Sequence, residues 1–230
     1  MIGRLRCVRL RTTLRALTAA AVLAAGLGAC GGSGNGNPLD NPPLVNNPAS
    51  ATGQSSLSFA YFQRCINPVF LEPLPITLNG VAVTNSCANA GCHANATGSG
   101  GAFRIIPTAT PLTMSVPAFG GAAAVTGASP DVIRASDMYK NFISAQGEII
   151  INSAAQSLLV EKPLVMNVQH GGGRVFTSTA DPHIVLFEYW ISHPTPAGTG
   201  EFDTSSYAQY FAAVNPNDGP DPNAGACLTQ

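Results

Sequence analysis

Four stretches of the chain carry apolar residues at helical spacing, and the long segments between them do not. Over Ser58–Leu71, residues Phe59, Phe62, Cys65 and Ile66 recur three and four apart, which predicts a helix that Pro68 bends or ends. Ser129-Pro130-Asp131 has the grammar of a helix start. It offers a capping hydroxyl, a proline in the first turn and an acid beside the positive helix end, so a helix is expected to about Ala145. Ser157–Lys162 predicts a short helical turn closed by Pro163. Asp181-Pro182 opens a last helix through Ser192, with Ile184, Phe187, Trp190 and Ile191 on one face and Pro194 as the stop. Residues 94–130 are rich in Gly, Ala, Thr and Pro without a period, and the tail after Gly198 is rich in Pro, Asn and Asp, so both are expected to be mostly irregular. No internal repeat is sustained. The expected class is mainly α with long irregular loops.

The N-terminus follows a different logic. Arg4, Arg6, Arg9, Arg11 and Arg15 stand there without an acid, and an Ala- and Leu-rich run follows from Ala16 to Leu27. This is a charged region and an apolar region of signal-peptide length, shorter than the roughly 20 residues a spanning helix needs. The run ends in Leu27-Gly28-Ala29-Cys30, which resembles the lipobox of bacterial lipoproteins. On that reading residues 1–29 are removed and Cys30 is lipidated. Each buried CH₂ of the lipid then adds about 0.8 kcal/mol of membrane affinity, and several chains make the anchor stable. The plainer alternative is an ordinary signal peptide with Cys30 there by chance. Residues 31–56 are mostly Gly, Asn, Pro, Ser and Ala, so 30–56 reads as the lipidated cysteine and a flexible linker. The folded domain is then expected over 57–230. Gly31 follows the cysteine, where an Asp would favour inner-membrane retention, so the expected location is the outer membrane, on its periplasmic or cell-surface side.

Removal of the signal changes the charge. Of eleven basic residues six remain, against twelve acidic ones, so the mature chain is acidic. It has no basic stripe, and nucleic acid is not expected as a partner.

Export also bears on the cysteines, because thiols seldom stay free in an oxidising compartment. Cys7 leaves with the signal and Cys30 takes the lipid, which leaves Cys65, Cys87, Cys92 and Cys227. The string Cys87-Ala-Asn-Ala-Gly-Cys92-His93 has the order of a c-type haem attachment site. Two thiolates add across the haem vinyl groups, and the histidine beside the second cysteine reaches the iron as proximal ligand. The usual spacing has two residues between the cysteines. Here there are four, and Gly91 and Asn89 are expected to absorb the excess through unusual backbone angles. The alternatives are a Cys87–Cys92 disulfide with His93 as a surface residue, and a zinc site, for which too few soft ligands cluster. Cys65 and Cys227 are then left to bond to each other, stapling the tail over the first helix. The alternative there is a buried free thiol at Cys65 and an intermolecular bond at Cys227.

Further along, Ser157-Leu158-Leu159, Lys162-Pro163-Leu164, His170-Gly171-Gly172-Gly173, Phe176 and Tyr189-Trp190-Ile191 follow one another in order. With the Cys65 helix, the CANAGCH string and the glycine-rich Gly98–Gly101, this series resembles a bacterial c-type cytochrome domain of the planctomycete type, over about 57–194. The four-residue cysteine spacing departs from the common pattern. The resemblance implies a cytochrome c-like domain around one covalent haem c. Cys87 and Cys92 would be its thioether sites, His93 the proximal iron ligand and His170 the second axial ligand. Three glycines after His170 would let a flat macrocycle approach the backbone closely. Met166 is the rival ligand, and His183 and His193 are expected to be structural or surface residues.

The function implied is mono-haem electron transfer, with redox proteins such as other cytochromes as partners, possible self-association, and no substrate chemistry. Two alternatives stand beside it. One is a disulfide-stapled surface lipoprotein for adhesion or assembly. The other is a haem peroxidase or sensor with an open iron position.

Overall fold

The structure is a computed structural model and describes residues 55–78 and 80–230. Residues 1–54, on which the expected signal peptide, the expected lipid site Cys30 and most of the expected linker fall, lie outside the described residues. Among the described residues, no helix is long and apolar enough to cross a membrane.

The chain enters through a continuous helical segment: α1 (Phe59–Tyr61), a π-helical stretch (Phe62–Ile66) and α2 (Asn67–Leu71). Ser58 caps it, accepting from the Tyr61 amide at 3.2 Å. The π stretch has a local cause. Pro68 cannot donate to the helical ladder, and the Asn67 amide bonds one residue further back than in an α-helix, to the Phe62 carbonyl. The segment is buried on nearly every side, with Arg64 and Pro68 exposed, so it forms the axis of the core rather than one of its walls. Phe62 packs on Trp190, Phe142 and Phe70 with ring centres 5.4, 5.4 and 6.2 Å apart. Its polar residues are satisfied across the core. Gln63 exchanges two hydrogen bonds with the backbone of Leu112, and Asn67 accepts from Asn141, which also clamps the backbone of Ile106. These side chains hold the period-free segment 94–130 in place.

An antiparallel hairpin follows, β1 (Leu74–Leu78) and β2 (Val81–Asn85), with Leu74 opposite Asn85 and Leu78 opposite Val81. The helix expected from Pro130 to Ala145 is two helices, α3 (Pro130–Arg134) and α4 (Asp137–Gln146). Ser136 divides them. Its hydroxyl donates to the Ile133 carbonyl and accepts from the Tyr139 amide, closing one helix and capping the next. A 3-10 turn (Ala154–Gln156) leads into α5 (Leu158–Leu164), which runs two residues beyond the expected Lys162 and takes Pro163 into its last turn. Val165 ends it in a left-handed conformation, φ 53°. The last long helix, α6 (Pro182–Ser192), starts on the Asp181 cap as expected and buries Ile184, Phe187, Trp190 and Ile191.

The tail is more ordered than its composition implies. It forms α7 (Tyr207–Tyr210) and places Tyr207, Tyr210 and Phe211 in the core. Cys227 is disulfide-bonded to Cys65, 162 residues away, with Cα atoms 6.0 Å apart. The Tyr61 hydroxyl donates to the Leu228 carbonyl at 2.7 Å beside it. Apolar burial and the staple therefore both hold the C-terminus down.

Candidate functional site

The residues from Ser86 to Ala94 coil into consecutive turns. Amides of Asn89, Cys92, His93 and Ala94 donate to the carbonyls of Ser86, Asn89, Cys87 and Asn89, at 2.9–3.2 Å. The Asn89 side chain accepts from the Gly91 amide at 3.1 Å. The two extra residues between the cysteines are absorbed by this hydrogen bonding. Neither Asn89 nor Gly91 adopts a positive φ, which corrects the expectation of unusual backbone angles there. Cys87 and Cys92 are free thiols and are not bonded to each other.

His93 leaves this coil toward a cavity of about 560 Å³, within the range of cofactor pockets. Its walls are mainly apolar, including Phe70, Phe103, Leu159, Phe176 and Phe187. Cys87, Cys92, His93 and His170 all line it, although His170 lies 77 positions from His93 in sequence. Among the described residues no three Cys, His, Asp or Glu side chains gather closely enough to hold one ion. Thiols and imidazoles distributed over one apolar cavity suit an extended group better.

The two histidines are oriented alike. His93 Nδ1 lies 3.1 Å from the Phe103 carbonyl, and His170 Nδ1 lies 2.8 Å from the Gly173 carbonyl. A backbone carbonyl can only accept, so it places a proton on Nδ1 and leaves Nε2 as the nitrogen able to bind a metal. The rings are within 14° of parallel, with centres 6.2 Å apart. The separation leaves room for a metal atom between the two rings.

Glycines hold both rings in place. A Cβ at Gly100 would lie 2.5 Å from the His93 ring, and one at Gly172 would lie 3.2 Å from the His170 ring. Gly173 turns back with φ +71°, and a Cβ there would meet the Thr77 carbonyl of β1 at 2.7 Å. The glycine run after His170 thus docks its loop against the hairpin.

Burial is the main cause of lowered basicity at His93, with a smaller contribution in the same sense from His170; the Phe103 carbonyl pulls the other way. The ring is held in the neutral form that binds metals. Burial likewise pushes the Cys87 thiol up to about 11, with Cys92 adding to the effect, and raises Cys92 as well.

Met166 does not line the cavity. The turn at Val165 and Asn167, φ 53° and 57°, leaves it 38% exposed on the outside. His183 is bridged between Asp181 and Glu72 at 2.8 and 3.0 Å, and His193 stacks on Tyr189 with ring centres 3.9 Å apart; both roles are structural. Sequence reasoning missed the phenylalanine walls, the hairpin and the contact of Gly100 with His93. It also missed that Glu148 and Lys162 face the same cavity. Asn79-Gly80 between alternating apolar residues was the available signal for the hairpin.

No protein-family model matches the chain, and comparisons with curated proteins and with solved structures likewise give no match.

Proposed function

We propose that this chain is a mono-haem c-type cytochrome that carries electrons, tethered by lipid on Cys30 to the outer membrane. In this reading Cys87 and Cys92 would hold the haem covalently, and His93 and His170 would bind its iron. The observation that carries it is the pairing of His93 with His170. The two imidazoles are distant in sequence, line one apolar cavity with both cysteines of CANAGCH, and stand nearly parallel with their centres 6.2 Å apart.

The chemistry the group supplies when bound is one-electron exchange at iron, with redox proteins as partners. The chain's own residues bind and orient. The Phe103 and Gly173 carbonyls aim the two rings, and the phenylalanine walls exclude water and so help to set the potential. Two histidines facing the cavity favour electron transfer over the peroxidase or sensor alternative, which needs an open iron position.

The test is the mass and spectrum of the full chain, made in cells competent in cytochrome c maturation. The mature protein is expected to exceed polypeptide plus lipid by one haem and to give thioether-type bands after denaturation, and Cys92→Ala is expected to weaken attachment. A colourless protein of polypeptide-plus-lipid mass would leave only a stapled surface lipoprotein.

A further inference from the structure

The cavity shared by His93 and His170 also carries two opposite charges, Glu148 and Lys162. Glu148 lies two residues beyond α4 and Lys162 lies on α5; the Leu159 amide donates to the Glu148 carbonyl at 3.1 Å and ties the two segments together. The Lys162 ammonium stands 3.4 Å from the Glu148 carboxylate, with side chains 34% and 11% exposed. Water screens such a pair less than a surface pair. The charge of Glu148 reaches the His93 ring, on which the Phe103 carbonyl, His170 and Arg104 also act. The remaining walls are largely aromatic and aliphatic. A partly buried ion pair adds little to stability, because desolvation offsets attraction. Its position on the wall of an apolar cavity calls for another account.

We propose that Glu148 and Lys162 are the charge control of the site: Glu148 holds the reduction potential of the bound haem down and Lys162 holds it up. This rests on the haem reading above. On reduction, iron(III) takes one electron from an external donor and becomes iron(II), so the net charge of the site falls by one. A nearby carboxylate opposes that gain and a nearby ammonium favours it, both more strongly where water is excluded. Loss of one partner leaves the other unopposed.

The experiment is potentiometric titration of the haem-loaded full chain, with dithionite as reductant and ferricyanide as oxidant. Wild type is compared with E148Q, K162M and the double variant. The potential is expected to rise in E148Q, to fall in K162M, and to lie between those of the two single variants in the double variant. All four spectra are expected to stay low-spin, since neither residue is an iron ligand. Single variants that leave the potential unmoved, or shift it in the same direction, overturn the proposal while the haem reading stands. If E148Q does not fold, K162M and K162Q decide alone, and an unchanged or raised potential in them overturns it. A wild-type chain without haem overturns the functional reading and this proposal with it, and is recognised by its missing colour before any variant is made.

Discussion

Replacing both Cys65 and Cys227 with alanine removes a constraint that spans nearly the whole folded domain. The bond joins residues 162 apart. In the chain-entropy model, closing a loop of that size removes about 17 cal/mol/K from the unfolded chain, or about 5 kcal/mol at 25 °C. The full figure is an upper bound, because real unfolded chains are already restricted. The tail also keeps bonds of its own. Arg64 donates to the carbonyls of Ala224 and Gly225, Asn223 exchanges two hydrogen bonds with the backbone of Met114, and Ala212 and Leu228 pair with Ala226 and Tyr210. A loss of about 3–5 kcal/mol is expected, read as a lower urea midpoint, together with a melting temperature lower by roughly 10–20 °C for a domain of this size. Because the bond acts mainly on the unfolded chain, the urea m-value is expected to rise in the variant as more surface becomes exposed. Non-reducing peptide mapping of the wild type should first yield a linked 65–227 peptide. A loss below about 1 kcal/mol with an unchanged m-value would refute the argument, and would mean that the apolar contacts of Tyr207, Tyr210 and Phe211 hold the tail alone.

Other outcomes follow from the same geometry. His170→Ala is expected to turn a low-spin haem spectrum high- or mixed-spin while Met166→Leu leaves it low-spin; the reverse pair of results transfers the ligand to Met166. Gly100→Ala places a Cβ 2.5 Å from the His93 ring, and is expected to cost about 1–3 kcal/mol in a urea titration and to broaden the haem spectrum; a stable, spectrally unchanged variant refutes the contact. Cys30→Ser should move the protein from the membrane fraction to the soluble one with its spectrum intact, and retention on membranes in high salt rejects the lipid anchor. Because burial lowers the pKa of His93, the unfolded chain binds a proton that the folded chain refuses. Stability from this group is complete above about pH 6.5 and declines as pH falls below it. The urea midpoint of haem-free wild type should therefore fall more steeply from pH 7 to 5 than that of His93→Gln, and equal slopes would refute the burial argument.

What the sequence made legible was local. Ser129-Pro130 and Asp181-Pro182 start helices where expected, because a cap hydroxyl or carboxylate and a proline act within four residues. The break at Ser136 was not foreseen, because a serine inside a helix pattern is ambiguous until its hydroxyl chooses a partner. The left-handed Val165 was hidden for another reason. A β-branched residue resists that conformation, so only tertiary packing makes it adopt it. The site shows the same division. Cys87, Cys92 and His93 are visible as a string, whereas Phe103 and Glu148 join them only after the chain has folded back from distant positions. His170 was reached through resemblance and its glycines, and its carbonyl partner through neither.

The burial of Cys87 has a consequence for the order of events in the cell. A thiol pushed up to about 11 is almost wholly protonated at neutral pH, and the thiolate is the reactive form. In the open chain the same cysteine has an ordinary pKa near 8.5 and faces solvent. On the proposed haem reading, thioether formation at Cys87 would therefore be favoured before the domain closes. The Cys65–Cys227 bond encloses every residue of the site within its loop. On that reading haem delivery would compete with closure of that loop, and a chain that oxidises and folds first would present Cys87 to the cavity as a protonated, weakly reactive thiol.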